Sequence, residues 1–450
     1  MIYRRTFLSI PPIVAASVLM LPWRSAECMS RHAAWTGKRV PEDVVVEFMD
    51  GRDLTDPVVS SVLTRHRAKL IQVFNRKVFH FTIAGSDAEP LARELVENNL
   101  VKYAEPNGLS ETNGTPNDTN YGSQGHLPVL NCPAAWNTLQ LNNLPLATMP
   151  VCIDINNGCQ TSQADLSANI ISQWNIVNSS STLTDTIGHG TACIGYQGAA
   201  TNNAAGVASV GWGGSIIPIQ VSTTGSISST NVEAAFQWII SNVPPPGTIN
   251  MPFSGSSLLT ISLTTTIPTL YKMGFFLCCG SQDISSIEAP NGASVSDFTL
   301  CTTGTQGQGG SPFAIPTDWT PGYGPPFLVG PPQTGRGCVV ATCAGTAATG
   351  LLTTGLSNTY TSWYGCSMAT SIMSGIVRYL MCAYYAGLGP KLSNADIWYI
   401  ITNPANGTAT TGFTGVPAPW SNPPFPLLDA CLAAAISGQR SPFSGKRGRR

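Results

Sequence analysis

Between residues 41 and 107, short apolar runs alternate with segments of helical spacing. Residues 44–48 (Val-Val-Val-Glu-Phe) read as a strand, 57–69 as a helix, 70–74 and 78–82 as strands, 87–98 as a helix and 101–105 as a last strand. This order predicts a small α+β domain in which two helices cover an antiparallel sheet. Beyond residue 120 the pattern changes. Apolar strands at 149–155, 216–221, 248–253 and 274–279 alternate with helices at 229–242 and 264–273. Such alternation predicts an α/β domain, a mostly parallel sheet between helices on both faces. Helices at 367–385 and 393–402 follow a Gly/Pro-rich stretch at 303–337. Residues 108–120 are nearly all turn and coil formers, predicting an exposed linker open to proteolytic processing.

Charge divides the chain at the same place. Residues 1–108 carry 14 Lys/Arg and 12 Asp/Glu, whereas residues 109–439 carry 4 and 12, a local net charge of −8. The N-terminus begins Met1-Ile2-Tyr3-Arg4-Arg5 and continues in an apolar run to Trp23, with small residues at Ser25-Ala26. These are the parts of a secretory signal, predicted over 1–26. Pro11-Pro12 interrupts the run, which is short for a bilayer core of about 30 Å. No other segment reads as membrane-spanning, so a secreted chain with no stable membrane insertion after signal removal is expected. Only 10% of residues are charged and the net charge is −1, which argues against nucleic-acid binding. Export would let some of the 13 cysteines pair as disulfides, and no paired Cys-x-x-Cys motif suggests structural zinc. Residues 436–450 read as a basic, disordered tail.

Three residues carry candidate chemistry. Asp154 lies toward the C-terminal end of the first strand of the second domain, where α/β sheets put ligand-binding residues. His189 follows 35 residues later in Gly188-His189-Gly190-Thr191, at a helix start, and Ser367 follows 178 residues after that, where a long apolar helix begins. Hydroxyl attack on an amide needs a base, an acid that orients the base, and dipoles for the oxyanion. Singly, each residue reads as a cap or turn residue. Together, with glycines beside two of them, they read as acid, base and nucleophile.

With these motifs the chain resembles the subtilisin-like serine proteases from about residue 120 to 404. The resemblance rests on Val151-Cys152-Ile153-Asp154-Ile155-Asn156-Asn157-Gly158, Gly188-His189-Gly190-Thr191, Asn202-Asn203-Ala204-Ala205-Gly206-Val207-Ala208 and Gly365-Cys366-Ser367-Met368-Ala369-Thr370. It implies a three-layer α/β fold over 121–435, with 41–107 as an inhibitory propeptide domain. It also implies an Asp154-His189-Ser367 triad cutting protein or peptide substrates through an acyl-enzyme. Phe253, Ser254 and Gly255 would line the substrate, after a proline, Pro252, that removes one backbone donor. Where the family has an oxyanion-binding asparagine, this chain reads Cys278-Cys279-Gly280-Ser281, which leaves Ser281 and Gln282 as replacement donors. Such a loss costs about 10²–10³ in turnover. A catalytically weakened, peptide-binding homologue is therefore the alternative function. Cys366 beside Ser367 reads as a buried replacement for threonine, not as a nucleophile. No cofactor is required for the chemistry. Calcium is common in the family and Asp165 with Asn203 could offer oxygens, but no metal site is assigned.

Overall fold

The computed structural model describes residues 39–74, 77–108, 115–139, 149–253, 258–281, 283, 296, 298–316, 318, 339–410 and 423–441. The chain divides into two compact units between Glu111 and Thr112.

The first unit is built from β1 (Arg39–Phe48), α1 (Pro57–Arg65), β2 (Lys69–Val73), β3 (Val78–Thr82), α2 (Glu89–Glu97) and β4 (Val101–Gly108). Its antiparallel sheet has the order β2-β3-β1-β4. Helix α1 starts where Asp56 accepts from the N–H groups of Val58 (2.8 Å) and Val59 (3.3 Å), with Pro57 in the first turn. Val59 and Val62 of α1, with Leu91 and Leu95 of α2, pack on Val44, Val46, Phe48, Phe79 and Phe81. The α+β order expected from the sequence is the order found.

The second unit begins with the short helices α3 (His126–Val129) and α4 (Cys132–Thr138). It continues through β5 (Val151–Asn156), α5 (Ala164–Ser167), β6 (Trp174–Asn175), α6 (His189–Gly198), β7 (Ile216–Gln220), α7 (Ser229–Asn242), β8 (Gly247–Met251), α8 (Ile267–Met273) and β9 (Phe275–Gly280). Strands β10 (Thr299–Thr305) and β11 (Val339–Cys343) extend the sheet, and β12 (Leu351–Thr354) pairs with β13 (Tyr360–Trp363) as an antiparallel ribbon. The rest comprises α9 (Cys366–Tyr385), α10 (Asn394–Thr402), the antiparallel pair β14 (Gly407–Ala409) and β15 (Pro424–Pro426), and α11 (Leu428–Ile436).

The main sheet is parallel throughout, in the order β11-β10-β9-β8-β5-β7-β6. Successive side chains along its strands go to opposite faces. On one face Val151, Ile153, Ile155, Phe275 and Leu277 meet Val232, Phe236 and Ile239 of α7 with Ile267 and Leu270 of α8. On the other, Phe276, Cys278, Leu300 and Val340 meet Met368, Ile372 and Ile376 of α9, and Cys152 meets Ile194 of α6. Even-numbered residues of β5 therefore face α6 and α9. That parity decides which side chains reach the site.

Two expectations are corrected, and a third, cysteine pairing, is not seen among the described residues. Helix α9 has the length and hydropathy to cross a membrane, contrary to the reading that no segment beyond the N-terminal run is apolar for long enough. It is 94% buried inside the fold, and so is the core helix of this unit. The last part of the expected linker is not open chain. Asp118 accepts from the Asn202 N–H (2.7 Å), Asn117 accepts from the Ala204 N–H (2.7 Å), and Asp118 is itself buried. The eleven cysteines among the described residues are all free thiols, so no disulfide is found there.

Candidate active site

Strand β5 runs past Asp154 and ends at Asn156. Two residues apart, both side chains leave the sheet on the face covered by α6. The chain then turns at Gly158 (φ 123°), where a Cβ would lie 1.9 Å from the Thr184 carbonyl oxygen. Helix α6 is brought equally close: a Cβ on Gly190 would lie 1.9 Å from the Gly158 carbonyl oxygen. Asp185 fixes the start of α6 by accepting from the N–H groups of Gly188 (2.7 Å) and Thr191 (3.0 Å) and from the Thr191 hydroxyl (2.7 Å). The Gly190 N–H donates to Asn157 Oδ1 (3.1 Å). His189 is thereby delivered to the end of β5.

The residue that meets the imidazole is Asn156. His189 Nδ1 lies 2.9 Å from Asn156 Oδ1. Asp154, expected to orient His189, stands one side chain further back. Its Oδ2 accepts from Asn156 Nδ2 (3.0 Å), and its Oδ1 accepts from Gln197 Nε2 (2.9 Å) and Asn250 Nδ2 (2.6 Å). The reason is positional. Asp154 lies inside the sheet, opposite Asn250 of β8 in the register, while Asn156 stands at the strand's exit.

Burial pushes the Asp154 carboxyl up to about 6, against the downward pull of its three amide donors. Burial also depresses the His189 imidazole to about 4, opposed only by the Asp185 charge. An amide partner offers an imidazolium none of the attraction a carboxylate would, so the neutral ring is favoured.

Ser367 is the second residue of α9, following Gly365 at φ 118°. Helices α6 and α9 pack together, and Trp363, just before α9, lies edge-on to the His189 ring (5.7 Å between centroids, 83°). The Ser367 hydroxyl donates to the Pro252 carbonyl (2.7 Å). A polar chain joins the two ends of the site: Asn250 Nδ2 donates to Ser371 Oγ (3.0 Å), whose hydroxyl donates to the Ser367 carbonyl (2.9 Å).

Ser281 is not available as an oxyanion donor in this arrangement. Its hydroxyl donates to Cys366 Sγ (2.7 Å), its N–H donates to the Thr302 carbonyl (2.9 Å), and it is buried. The Cys366 N–H donates to Asp283 Oδ1 (2.7 Å), which puts a carboxyl at the start of α9. Burial pushes the Cys366 thiol well above its usual range, which accords with a packing role. Phe253 packs, partly buried, against the apolar core on the α7 face. Gln282, Ser254 and Gly255 lie outside the described residues.

The pair considered for calcium does not fit a cation. Asp165 accepts from Asn203 Nδ2 (3.0 Å) and from the Val207 N–H (2.8 Å), and Asn203 Oδ1 accepts from the Ala205 N–H (2.9 Å). Hydrogen-bond donors converge on Asp165 where a calcium site needs oxygens. Among the described residues, no group of three or more His, Cys, Asp or Glu side chains is placed to hold a metal.

Reading the sequence alone missed Asn156, Asp185 and Asp283. For Asn156 a signal existed, since the glycine that turns the chain out of β5 is two residues beyond Asn156 and four beyond Asp154.

The sequence model of the Subtilase family matches residues 135–257. An extracellular protease of Xanthomonas campestris pv. campestris is 23% identical over 394 residues, which cover 78% of this chain and 63% of that protein. Thermitase of Thermoactinomyces vulgaris is 31% identical over 108 residues, covering 24% of this chain and 37% of thermitase. The chain thus spans about six-tenths and about one-third of the length of these curated relatives. A solved protease structure from Pseudoalteromonas arctica shares the fold with a TM-score of 0.55 at 19% identity, over 71% of this chain and 99% of that one. Family match, relatives and fold agree in their likeness to the subtilisin-like proteases.

Proposed function

We propose that this chain is a secreted serine endopeptidase that hydrolyses protein substrates through an acyl-enzyme on Ser367. His189 is the general base, Asn156 is the residue that holds the imidazole, and the first unit is an intramolecular propeptide removed on maturation. The observation that carries the reading is the 2.9 Å contact between His189 Nδ1 and Asn156 Oδ1. The acceptor oxygen calls for a proton on Nδ1 and leaves Nε2 with a lone pair for the Ser367 proton. The ring's depressed pKa keeps that lone pair free at neutral pH. Proton transfer is costlier than in a carboxylate-supported site, because the imidazolium forms beside a neutral amide. Low turnover is the consequence. Export is supported by the predicted signal and by the extracellular relative, and the propeptide by the separate compact unit that residues 39–108 form.

A second reading is favoured by Asn156 and by the Ser367 hydroxyl turned to the Pro252 carbonyl. In that reading the domain retains peptides without cutting them. The decisive comparison is Ser367→Ala against the processed parent, using a fluorophosphonate probe and a protein substrate. The protease reading expects labelling at Ser367 and turnover that falls by about a thousandfold or more in the variant. A folded parent that neither labels nor cuts would leave the peptide-binding reading in place.

A further inference from the structure

An asparagine next to a catalytic imidazole is ambiguous, because its amide can present either end. With Nδ2 toward the ring, His189 would have to accept at Nδ1 and carry its proton on Nε2, and could take no proton from a serine. With Oδ1 toward the ring, the useful tautomer results. Two further contacts of Asn156 choose between these states. The Asn157 N–H, which can only donate, lies 2.9 Å from Oδ1. The Asp154 carboxylate, which when ionised can only accept, lies 3.0 Å from Nδ2. Asp154 is held in turn by the amides of Gln197 and Asn250, both of which leave their own buried oxygens without a protein partner in order to donate to it. Three side-chain amides converge on one fully buried carboxyl group.

We propose that Asp154 is a positioning residue that acts on His189 through Asn156: it captures the Asn156 Nδ2 group, turns Oδ1 to the ring and so sets the imidazole tautomer needed for general-base catalysis. The consequence for turnover rests on the protease reading above, but the tautomer itself does not. Replacing the carboxylate by an amide that can both donate and accept frees Asn156 to turn over.

The test is ¹⁵N NMR of the full chain labelled at histidine, with the His189 signals assigned by a His189→Gln variant, at neutral pH in the parent and in Asp154→Asn. The parent is expected to show a protonated Nδ1 and an unprotonated Nε2. Asp154→Asn should populate the opposite tautomer and lose about ten- to a hundredfold in kcat per fluorophosphonate-titrated site, with KM within about twofold. A purely structural Asp154 would lower the folded fraction and leave both the tautomer and kcat per titrated site unchanged, which would overturn the proposal. A parent ring with its proton on Nε2 would also overturn it, and that spectrum decides the matter even if Asp154→Asn fails to fold. A parent that never labels or cuts would defeat the protease reading alone.

Discussion

The double variant Asp154→Asn/Asn156→Asp is expected to turn over peptide about a hundredfold faster than the parent. The exchange conserves every hydrogen bond at the hub. The new amide oxygen at position 154 would accept from Gln197 and Asn250 as the Asp154 carboxylate does now. The nitrogen of that amide would donate to the new carboxylate at position 156, reversing the present 3.0 Å bond. The carboxylate at 156 would still accept from His189 Nδ1 and from the Asn157 N–H. What moves is the negative charge, from one side chain behind the ring to direct contact with it. Replacing an aspartate at this position by asparagine costs serine proteases about 10⁴ in kcat when the tautomer is also lost. Here the tautomer is already correct, so the gain should be the smaller, electrostatic part. The sign of the pH effect follows. In the parent, burial depresses His189 to about 4, below its ordinary 6.5, so the base form persists down to that pH and is lost beneath it. A carboxylate on the ring raises that pKa, so the acid limb of kcat/KM should move up toward the ordinary 6.5 or beyond. A folded double variant with unchanged turnover and an unchanged acid limb would show that Asn156 is not the residue that matters to His189.

Loss of the Arg378 side chain is expected to cost roughly 4 kcal/mol of stability. Arg378 lies on α9 and is 1% exposed. Its guanidinium donates to the carbonyls of Pro150 (2.8 Å), Gly211 (3.2 Å) and Gly213 (2.7 Å). A Cβ at Gly214, itself at φ 122°, would lie 1.8 Å from Nη2, so the loop is shaped around the cation. Arg378→Ala would leave buried carbonyls without donors and a cavity the size of the side chain. The urea midpoint of the isolated second unit, or of the full chain if that unit does not fold alone, measures the effect. A loss below about 1 kcal/mol would mean that water or rearranged backbone replaces the guanidinium. Because Pro150 immediately precedes β5, the same contact helps seat the strand that carries Asp154 and Asn156.

The architecture was largely legible, because burial on both faces makes β5, β7, β8 and β9 continuous apolar runs that periodicity finds. Strand β10 escaped notice. Its sequence, Thr-Leu-Cys-Thr-Thr-Gly-Thr, is fully buried yet polar in composition. The ribbon β12–β13 and the pair β14–β15 are four- and three-residue strands, too short for alternation along the chain to reveal. Within the site, the glycine-flanked helix starts that mark His189 and Ser367 as candidates were legible, and both are found at helix starts. Charge pointed to Asp154 as the partner of His189, whereas the side chain against the ring is Asn156, two residues further along the strand. Both share the face parity that brings them to α6, so Asp154 lies one hydrogen bond behind the residue that meets the ring. That the Ser281 hydroxyl is engaged by Cys366 was not legible, because their separation depends on how β9 and α9 pack.

The most direct measurement is the titration of the His189 imidazole in the parent protein, followed by NMR from neutral pH downward. A ring supported by the Asn156 amide should remain neutral until about pH 4. A midpoint at or above 6.5 would mean a solvated ring or a carboxylate against it, and either would contradict a buried imidazole held by Asn156.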